Sequence, residues 1–460
     1  MPIDTSFLQD LIGSITERGR GLVGFAKPLD KTHGDLVTLS EQLVTGRGEA
    51  SGVALATKIL DGYADANEAE RIAFLEALAN NFGPDLDRLE AAARAFLKSG
   101  TPSTVSELSH ASEPRRQELL RRLNLAPGGT SALVAMRSEL LRHLRQRPAL
   151  AALDIDFAHL FSSWFNRGFL VLRPIDWRTP ANILAKVIQY EAVHTIQSWD
   201  DLRARLEPPD RRCFAFFHPQ LVDEPLIFVE VALTRDIPAS IAPLLQLDRE
   251  LVDPRQATTA VFYSISNCQT GLRGVSFGNF LIKQVVEELS RDLPALKTFV
   301  TLSPVPGFAG WLKAQLDAGS LSMLDATDRA ALTDATAKGW AGVGTAPSRT
   351  REALAAASAS YFLAAKGASG RPVDAVARFH LGNGARLERI NIDGDLSTKG
   401  LAQAAGLMVN YLYDPATIEA NHEAYANRGE VVAGSAVKKN LKAEAKARTA
   451  LPKPSSAPRA

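Results

Sequence analysis

Apolar residues recur three and four positions apart through the first third of the chain, from residue 1 to about residue 165. This spacing places them on one face of an α-helix and predicts a succession of amphipathic helices. Pro127-Gly128-Gly129 is expected to stop one helix, and Thr130-Ser131 to cap the next. The best-defined predicted helices are 68–78, 86–97, 115–123 and 132–145. Since no cluster of catalytic residue types occurs in this stretch, we predict an all-helical domain, residues 1–167, that serves packing or oligomerisation.

The pattern changes near Gly168. Helical spacing continues over 181–206, and from Arg212 onward short runs rich in β-branched and aromatic residues predict strands. The predicted strands are 213–217, 226–234, 260–266, 298–302, 378–380, 385–392 and 407–413. Hairpin strands followed by strand–helix–strand predict an α+β fold whose mixed sheet is antiparallel first and parallel later. This second domain spans 168–435 and includes an alanine-rich helical insert, about 311–367, that would cover a site or build a subunit interface.

Composition narrows the class of protein. The 460 residues suggest two or three domains, and 46% hydrophobic with 22% charged residues is ordinary for a soluble globular protein. A net charge of +1 excludes a global field that would attract nucleic acid or an anionic membrane. No apolar run approaches the ~20 residues that span a bilayer, and the first residues do not resemble a signal peptide. We therefore expect a cytoplasmic protein that binds neither nucleic acid nor membrane.

The cysteines and the C-terminal residues add two expectations. Only Cys213 and Cys268 occur, which is too few for a disulfide framework or a metal cluster, so we predict no metal site. After Ser435 the chain carries five Lys and two Arg against the single Glu444, and it is rich in Pro, Ala and Ser. Such a composition predicts a basic, disordered tail over 436–460.

A glycine-rich loop, Arg273-Gly274-Val275-Ser276-Phe277-Gly278-Asn279, lies between the predicted strand 261–266 and a predicted helix, 280–291. A turn entering a helix exposes backbone N–H groups that no helical carbonyl satisfies, and the helix dipole adds positive potential. Such a place suits a pyrophosphate, and the glycines let the backbone approach it closely. The loop is neither GxGxxG nor GxxxxGK[ST], so nicotinamide and ATP binding lack their motifs. The alternative is a tight glycine turn before an ordinary helix.

Ser303 and His380 are the strongest candidates for chemistry. Ser303 begins Ser303-Pro304-Val305-Pro306-Gly307-Phe308 after a predicted strand, where the proline makes the backbone extended and rigid. His380 is predicted at a strand end, before a turn with two glycines around Asn383. His194 is a second choice, at a helix C-terminus. Ser303 is not in a GxSxG elbow, which argues against an ordinary serine hydrolase. If strands 260–266 and 298–302 are neighbours that splay apart, a thioester would lie between them.

At these residues the chain resembles the malonyl-CoA decarboxylase family. The matching segments are HPQLVDEPLIFVEVALT (218–234), FYSISNCQTGLRGVSFGNFLIKQVVEEL (262–289), LSPVPGF (302–308), and RFHLGNGARLERIN with GLMVNYLY (378–413). The resemblance implies a helical N-terminal domain, a GNAT-type acetyltransferase-like catalytic domain and a homotetramer. It implies that 273–279 holds the coenzyme A pyrophosphate, and that Ser303 and His380 are catalytic. The acetyltransferase loop is Q/R-x-x-G-x-G/A, from which Ser276 departs.

The implied reaction converts malonyl-CoA to acetyl-CoA and CO2 through a thioester enolate. Stabilising that oxyanion needs aimed donors, for which the backbone amides near 264–267 or 303–308 and the side chains of Asn383 and Tyr413 are candidates. Ser266 is a further candidate for substrate binding. His380, titrating near neutrality, is expected to donate the proton. Ser303 is expected as its partner at ~2.6–3.2 Å, where it accepts a proton or orients the malonyl carboxylate. Because the thioester is itself an electron sink, we expect no cofactor. The alternatives are a coenzyme-A-dependent acyltransferase of the same fold and a non-catalytic acyl-CoA-binding protein.

Overall fold

The computed structural model describes residues 35–45, 48–275, 281–368 and 370–441. Within these ranges the chain divides into two compact units. The first contains the described residues of Met1–Leu170, His218–Glu224 and Gln269–Phe277. The second contains those of Val171–Phe217, Pro225–Cys268 and Gly278–Ala460. The predicted loop residues Ser276, Phe277, Gly278 and Asn279, and most of the predicted tail, lie outside the described residues.

The first unit is helical in its described part. Its helices are α1 (Leu36–Thr45), α2 (Glu49–Asp65), α3 (Glu68–Asn81), α4 (Leu86–Ser99), α5 (Pro102–Ser112), α6 (Arg115–Asn124), α7 (Gly129–His143) and α8 (Ala151–Trp164). Short 3-10 turns occur at Pro148–Leu150, Arg167–Phe169 and Thr270–Leu272. Over the described residues, these bounds confirm the predicted helical character of the N-terminal region.

Local chemistry explains where these helices begin. Asn67 starts α3 with a capping box, in which its side chain accepts the Glu70 N–H and the Glu70 carboxylate accepts the Asn67 N–H. The predicted cap at Thr130-Ser131 is wrong, because α7 already begins at Gly129. Gly128, at φ +73°, precedes it, a backbone conformation that suits glycine. The apolar faces of α6, α7 and α8 meet in a core that includes the fully buried Leu119, Leu133, Leu140, Phe157 and Phe161.

The second unit is built on a mixed sheet. Its strands are β1 (Val171–Pro174), β2 (Arg211–Phe217), β3 (Pro225–Thr234), β4 (Thr259–Asn267), β5 (Thr298–Thr301), β6 (Ser303–Pro304), β7 (Arg386–Asn391) and β8 (Met408–Leu412). Strands β1 to β4 pair antiparallel in sequence order, β4 and β5 pair parallel, and β8 pairs antiparallel with β5, β6 and β7. This order confirms the predicted α+β class, although β1 was not predicted from the sequence.

The parallel pair β4–β5 ends early. The strands pair from Thr259↔Thr298 to Phe262↔Thr301, and the Leu302 N–H still donates to the Phe262 carbonyl at 3.0 Å. Beyond that point Ser303 pairs with Val409 of β8 instead, while β4 runs on to Asn267 beside β3. The two strands are therefore neighbours, as the sequence analysis supposed, and β5 pairs along its whole length with the first four residues of β4. Ser303 lies just beyond the last paired residues of the two strands.

The remaining helices of the second unit are α9 (Ala181–Tyr190), α10 (Trp199–Leu206), α11 (Ala242–Leu245), α12 (Leu281–Asp292), α13 (Phe308–Asp317), α14 (Ala326–Ala337), α15 (Ser348–Leu363), α16 (Ala375–Gly382), α17 (Thr398–Ala404), α18 (Ile418–Arg428) and α19 (Ser435–Asn440). Helices α13 to α15 confirm that the insert is helical. None of the helices in the described part of the chain is long and apolar enough to cross a bilayer.

Three sequence predictions for this unit are wrong. Residues 378–380 lie in helix α16 and form no strand. The predicted helical stretch 181–206 is interrupted between α9 and α10, so His194 lies in an irregular segment and ends no helix. The first residues of the predicted disordered tail form α19, where Val437 is buried.

Candidate active site

Ser303 and His380 are 77 positions apart in sequence and in hydrogen-bond contact in the fold. Ser303 Oγ and His380 Nε2 are 3.0 Å apart, inside the range that the sequence led us to expect. Ser303 is 5% exposed in β6 and His380 is 3% exposed in the last turn of α16. Asp374 starts that helix by accepting the Ala377 N–H at 2.7 Å. Strand β6 and helix α16 thus bring the two predicted residues together.

The second imidazole nitrogen also has a partner. His380 Nδ1 is 2.8 Å from the Tyr413 hydroxyl, and the Tyr411 ring stacks on the imidazole with centroids 4.5 Å apart. Burial lowers the pKa of His380 to about 3, since the charged form loses its hydration. The expectation of a histidine that titrates near neutrality is therefore corrected. His380 is therefore a neutral imidazole at physiological pH, and its single proton lies on one of two nitrogens that both have a hydrogen-bond partner.

Thr301 completes this group and was not found by sequence reasoning. The Ser303 hydroxyl donates to Thr301 Oγ1 at 2.9 Å, and the Tyr411 backbone N–H donates to the same oxygen at 3.1 Å. Thr301 is fully buried in β5. The signal that could have found it is the strand period of two, because residues 301 and 303 then share one face.

The other candidate donors have different contacts. Tyr413 binds His380, as described. Ser266 Oγ donates to Glu191 Oε2 at 3.1 Å and accepts the Ala192 N–H at 3.3 Å. Asn383 Nδ2 donates to the Phe379 carbonyl of its own helix at 2.8 Å. Burial lowers the pKa of His194, the second-choice histidine, to about 4. Tyr413 is thus bonded directly to the Ser303–His380 pair.

The described half of the glycine-rich loop belongs to the first unit and is held by Arg137 of α7. Arg137 Nη1 donates to the carbonyls of Gly271 and Arg273 at 2.8 and 3.0 Å, and its Nε donates to Asp154 at 2.8 Å. Gly274 has φ +78°, the left-handed region that favours glycine.

The amides of that half are mostly committed to the turn. The N–H groups of Leu272, Arg273 and Val275 donate to the carbonyls of Gln269, Thr270 and Leu272. A further donor for an anion would be the Gly274 N–H group. The N–H groups of Ser276 to Asn279 lie outside the described residues. Over the described ranges, no group of three or more His, Cys, Asp or Glu side chains is placed to hold a metal ion.

Comparison with known proteins places this geometry in a family. The model of the malonyl-CoA decarboxylase C-terminal domain matches residues 168–451, and that of the malonyl-CoA decarboxylase N-terminal domain matches residues 82–165. The chain belongs to the malonyl-CoA decarboxylase family. Membership confirms the resemblance that was inferred from the sequence segments around Ser303 and His380.

Individual members of the family are similar over most of their length. The mitochondrial malonyl-CoA decarboxylase of Anser anser anser is 34% identical over 401 residues, which cover 80% of this chain and 79% of that protein. The crystal structure of malonyl-CoA decarboxylase from Rhodopseudomonas palustris is 58% identical, with TM-score 0.82, and covers 89% of this chain and 100% of its own. The Agrobacterium vitis structure is 56% identical, with TM-score 0.84 and the same coverage.

Proposed function

We propose that this protein is a carboxy-lyase that converts malonyl-CoA to acetyl-CoA and CO2. The observation that carries the proposal is the buried Ser303–His380 hydrogen bond of 3.0 Å, just beyond the last paired residues of β4 and β5. Membership of the malonyl-CoA decarboxylase family, and the names of its similar members, support the same reaction and substrate.

Cleavage of the malonyl carbon–carbon bond releases CO2 and leaves its electron pair on the α-carbon, delocalised into the thioester as an enolate. The substrate must be held with the departing carboxylate out of the carbonyl plane, so that the breaking bond overlaps the π system. The α-carbon then takes a proton from the Ser303 hydroxyl while Ser303 takes the Nε2 proton of His380. As Nε2 loses its proton, Nδ1 takes the proton of the Tyr413 hydroxyl, so the negative charge that the substrate carboxylate carried rests on the His380–Tyr413 pair. The pair regains a proton from solvent after CO2 leaves. One proton is consumed for each molecule of acetyl-CoA formed.

Burial of the pair suits this chemistry. Both side chains are nearly inaccessible, so water competes little for the enolate carbon, and hydrogen bonds act in a medium of low dielectric constant. The thioester accepts the electron pair itself, and we therefore propose that the reaction needs neither a metal nor an organic cofactor.

We assign the coenzyme A pyrophosphate to the glycine-rich loop, residues 273–279. The left-handed Gly274 and the two carbonyls held by Arg137 support this assignment, because they fix the backbone of the described half of the loop.

We further propose a homotetramer in the cytoplasm. The tetramer follows from the family resemblance, and the measurement that decides it is the molar mass by light scattering. The cytoplasmic location is supported by Cys213 and Cys268, which are both buried and are not joined in a disulfide, a state that a reducing compartment maintains. The Anser anser anser relative is named as mitochondrial, so fractionation of cells that express this protein is the deciding experiment.

The test of the reaction is to mix purified protein with malonyl-CoA, without an acceptor and with a chelator, and to follow acetyl-CoA and CO2 together. Equal amounts of both are expected. Replacing either residue of the pair, Ser303→Ala or His380→Ala, should lower the rate by about a hundredfold or more, because acid–base groups contribute ~10²–10⁴-fold.

A matched control removes a buried serine hydroxyl elsewhere. Ser358 is fully buried and donates to the Ala355 carbonyl of its own helix, so Ser358→Ala should keep the wild-type rate. Product formation only after an amine is added would indicate an acyltransferase. Binding of coenzyme A without any product would indicate a non-catalytic acyl-CoA-binding protein.

A further inference from the structure

The backbone ladder between β5 and β8 is interrupted one step before the catalytic serine. Val300 pairs with Leu412 and Ser303 pairs with Val409, and both pairs keep the same register. Between these two pairs, the hydrogen bonds that join β5 to β8 involve side chains. The Tyr411 N–H donates to Thr301 Oγ1 at 3.1 Å, and Asn410 Nδ2 donates to the Thr301 carbonyl at 2.8 Å. The Thr301 hydroxyl is therefore held in a defined position by the strand opposite.

The directions of the hydrogen bonds around Thr301 determine which ring nitrogen of His380 carries the proton. Ser303 has one hydroxyl proton, and it donates this proton to Thr301 Oγ1 at 2.9 Å. Toward His380, Ser303 Oγ can then only accept, so the proton of the neutral imidazole lies on Nε2. Nδ1 is left without a proton and accepts from the Tyr413 hydroxyl, which is 2.8 Å away.

We propose that Thr301 is a positioning residue that holds His380 in the tautomer with its proton on Nε2, facing Ser303. This inference rests on the proposed decarboxylase function, in which Nε2 supplies the proton. Without the Thr301 hydroxyl, Ser303 is free to turn its own proton toward Nε2. The imidazole proton then moves to Nδ1, and Nε2 no longer has a proton to pass through Ser303 to the α-carbon. Thr301 thus acts through Ser303 and has no need to touch the substrate.

The experiment compares Thr301→Val, which removes the hydroxyl at nearly constant volume, with Thr301→Ser, which keeps it. We expect kcat of Thr301→Val to fall on the order of ten- to a hundredfold with KM for malonyl-CoA within about twofold, because misdirected groups slow the chemical step. Thr301→Ser should recover most of the rate. Nitrogen-15 NMR of histidine-labelled protein should show a proton-bearing Nε2 for wild-type His380 and a loss of that preference in Thr301→Val.

Thr259→Val is the matched control, because Thr259 is a buried threonine at the other end of the same parallel ladder. It should keep wild-type kcat. A Thr301→Val enzyme with wild-type kcat would overturn the proposal, and so would equal damage by valine and serine, which would indicate packing alone. Should Thr301→Val fail to fold, the wild-type spectrum still tests the proposal, because a proton on Nδ1 of His380 would contradict the proposed tautomer. Absence of CO2 release by wild-type protein would instead overturn the proposed function, and the spectrum would remain a separate test of Thr301.

Discussion

The ionisation of His380 shows how a single residue takes its properties from its surroundings. The imidazole is 3% exposed, and its hydrogen-bond partners are the two uncharged hydroxyls of Ser303 and Tyr413. Burial is the cause that lowers its pKa to about 3. The neutral form is then the form that meets the substrate, and it remains neutral well below the pH at which an ordinary histidine becomes charged.

The low pKa predicts that kcat/KM does not fall on the acid side of its pH profile. If neutral His380 is the active form, kcat/KM for malonyl-CoA should stay constant from about pH 8 down to about pH 5, because kcat/KM reports the pKa of the free enzyme. A histidine with the usual pKa of about 6.5 would lose nearly tenfold for each pH unit below that value.

The control for this measurement is the dissociation constant of coenzyme A over the same range, because its phosphate monoester titrates with a pKa of about 6. A bend in kcat/KM near neutrality that is absent from coenzyme A binding would contradict the low pKa.

At the scale of elements, helix α7 has a role that its sequence did not suggest. Arg137 is 2% exposed, and its guanidinium joins Asp154 of α8 to the carbonyls of Gly271 and Arg273. Gly271 lies so close to α7 that a Cβ at that position would be 2.0 Å from the Val134 carbonyl oxygen. A helix and a glycine-rich turn are thus packed backbone to backbone and joined by a buried charge.

We predict that Arg137→Ala weakens binding of coenzyme A on the order of tenfold or more, since a hydrogen bond to a charged group is worth about 1.5–3 kcal/mol. KM for malonyl-CoA should rise in parallel, while kcat should change little. Isothermal titration with coenzyme A is the direct measurement. Arg142→Ala is the control on the same helix, because its side chain is 65% exposed. Equal affinity of the Arg137 and Arg142 variants would show that the anchor does not shape the anion site.

Sequence patterns predicted most elements, and the failures have a physical cause. Arg378-Phe379-His380-Leu381 alternates polar and apolar over only four residues, a length at which strand and helix periods are not distinguished. Asp374 favours the helix because its carboxylate caps the first turn. The segment between α9 and α10 departs from helix because the Glu191 carboxylate accepts the N–H groups of Val193 and His194 at 2.8 and 2.6 Å.

At the scale of the whole molecule, a buried carboxyl links stability to pH. Glu230 of β3 is fully buried, and desolvation raises its pKa to about 8. Arg205 is 3.2 Å from Glu230 and 3.0 Å from Asp201, which is more exposed. Asp201 can therefore balance the guanidinium, and the fully buried Glu230 takes up the proton.

The sign of the effect follows from the raised pKa. An unfolded glutamate titrates at about 4.3, so between that pH and about pH 8 the folded state binds more protons than the unfolded state. The contribution of Glu230 to stability is complete below the lower value and is lost as the pH rises through the upper one.

We predict that the wild-type melting temperature falls between about pH 6 and about pH 8.5, and that Glu230→Gln, which cannot ionise, reduces this slope. Thermal unfolding in buffers of matched ionic strength is the measurement. An identical slope in both proteins would mean that Glu230 is charged in the folded state. Glu207→Gln is the control, because Glu207 is an exposed carboxylate that pairs with Arg203 on the surface.

By itself, the sequence determined the order of helical and mixed-sheet regions, the family, the helical insert, and Ser303 and His380 as the candidate pair. These are properties of local periodicity and of short contiguous segments, which a linear chain carries. The tertiary structure decided the rest: Thr301 beside Ser303, Tyr413 on Nδ1, the pKa of His380, and the Arg137 anchor. Each of these depends on burial or on contact between residues distant in sequence, and neither exists until the chain has folded.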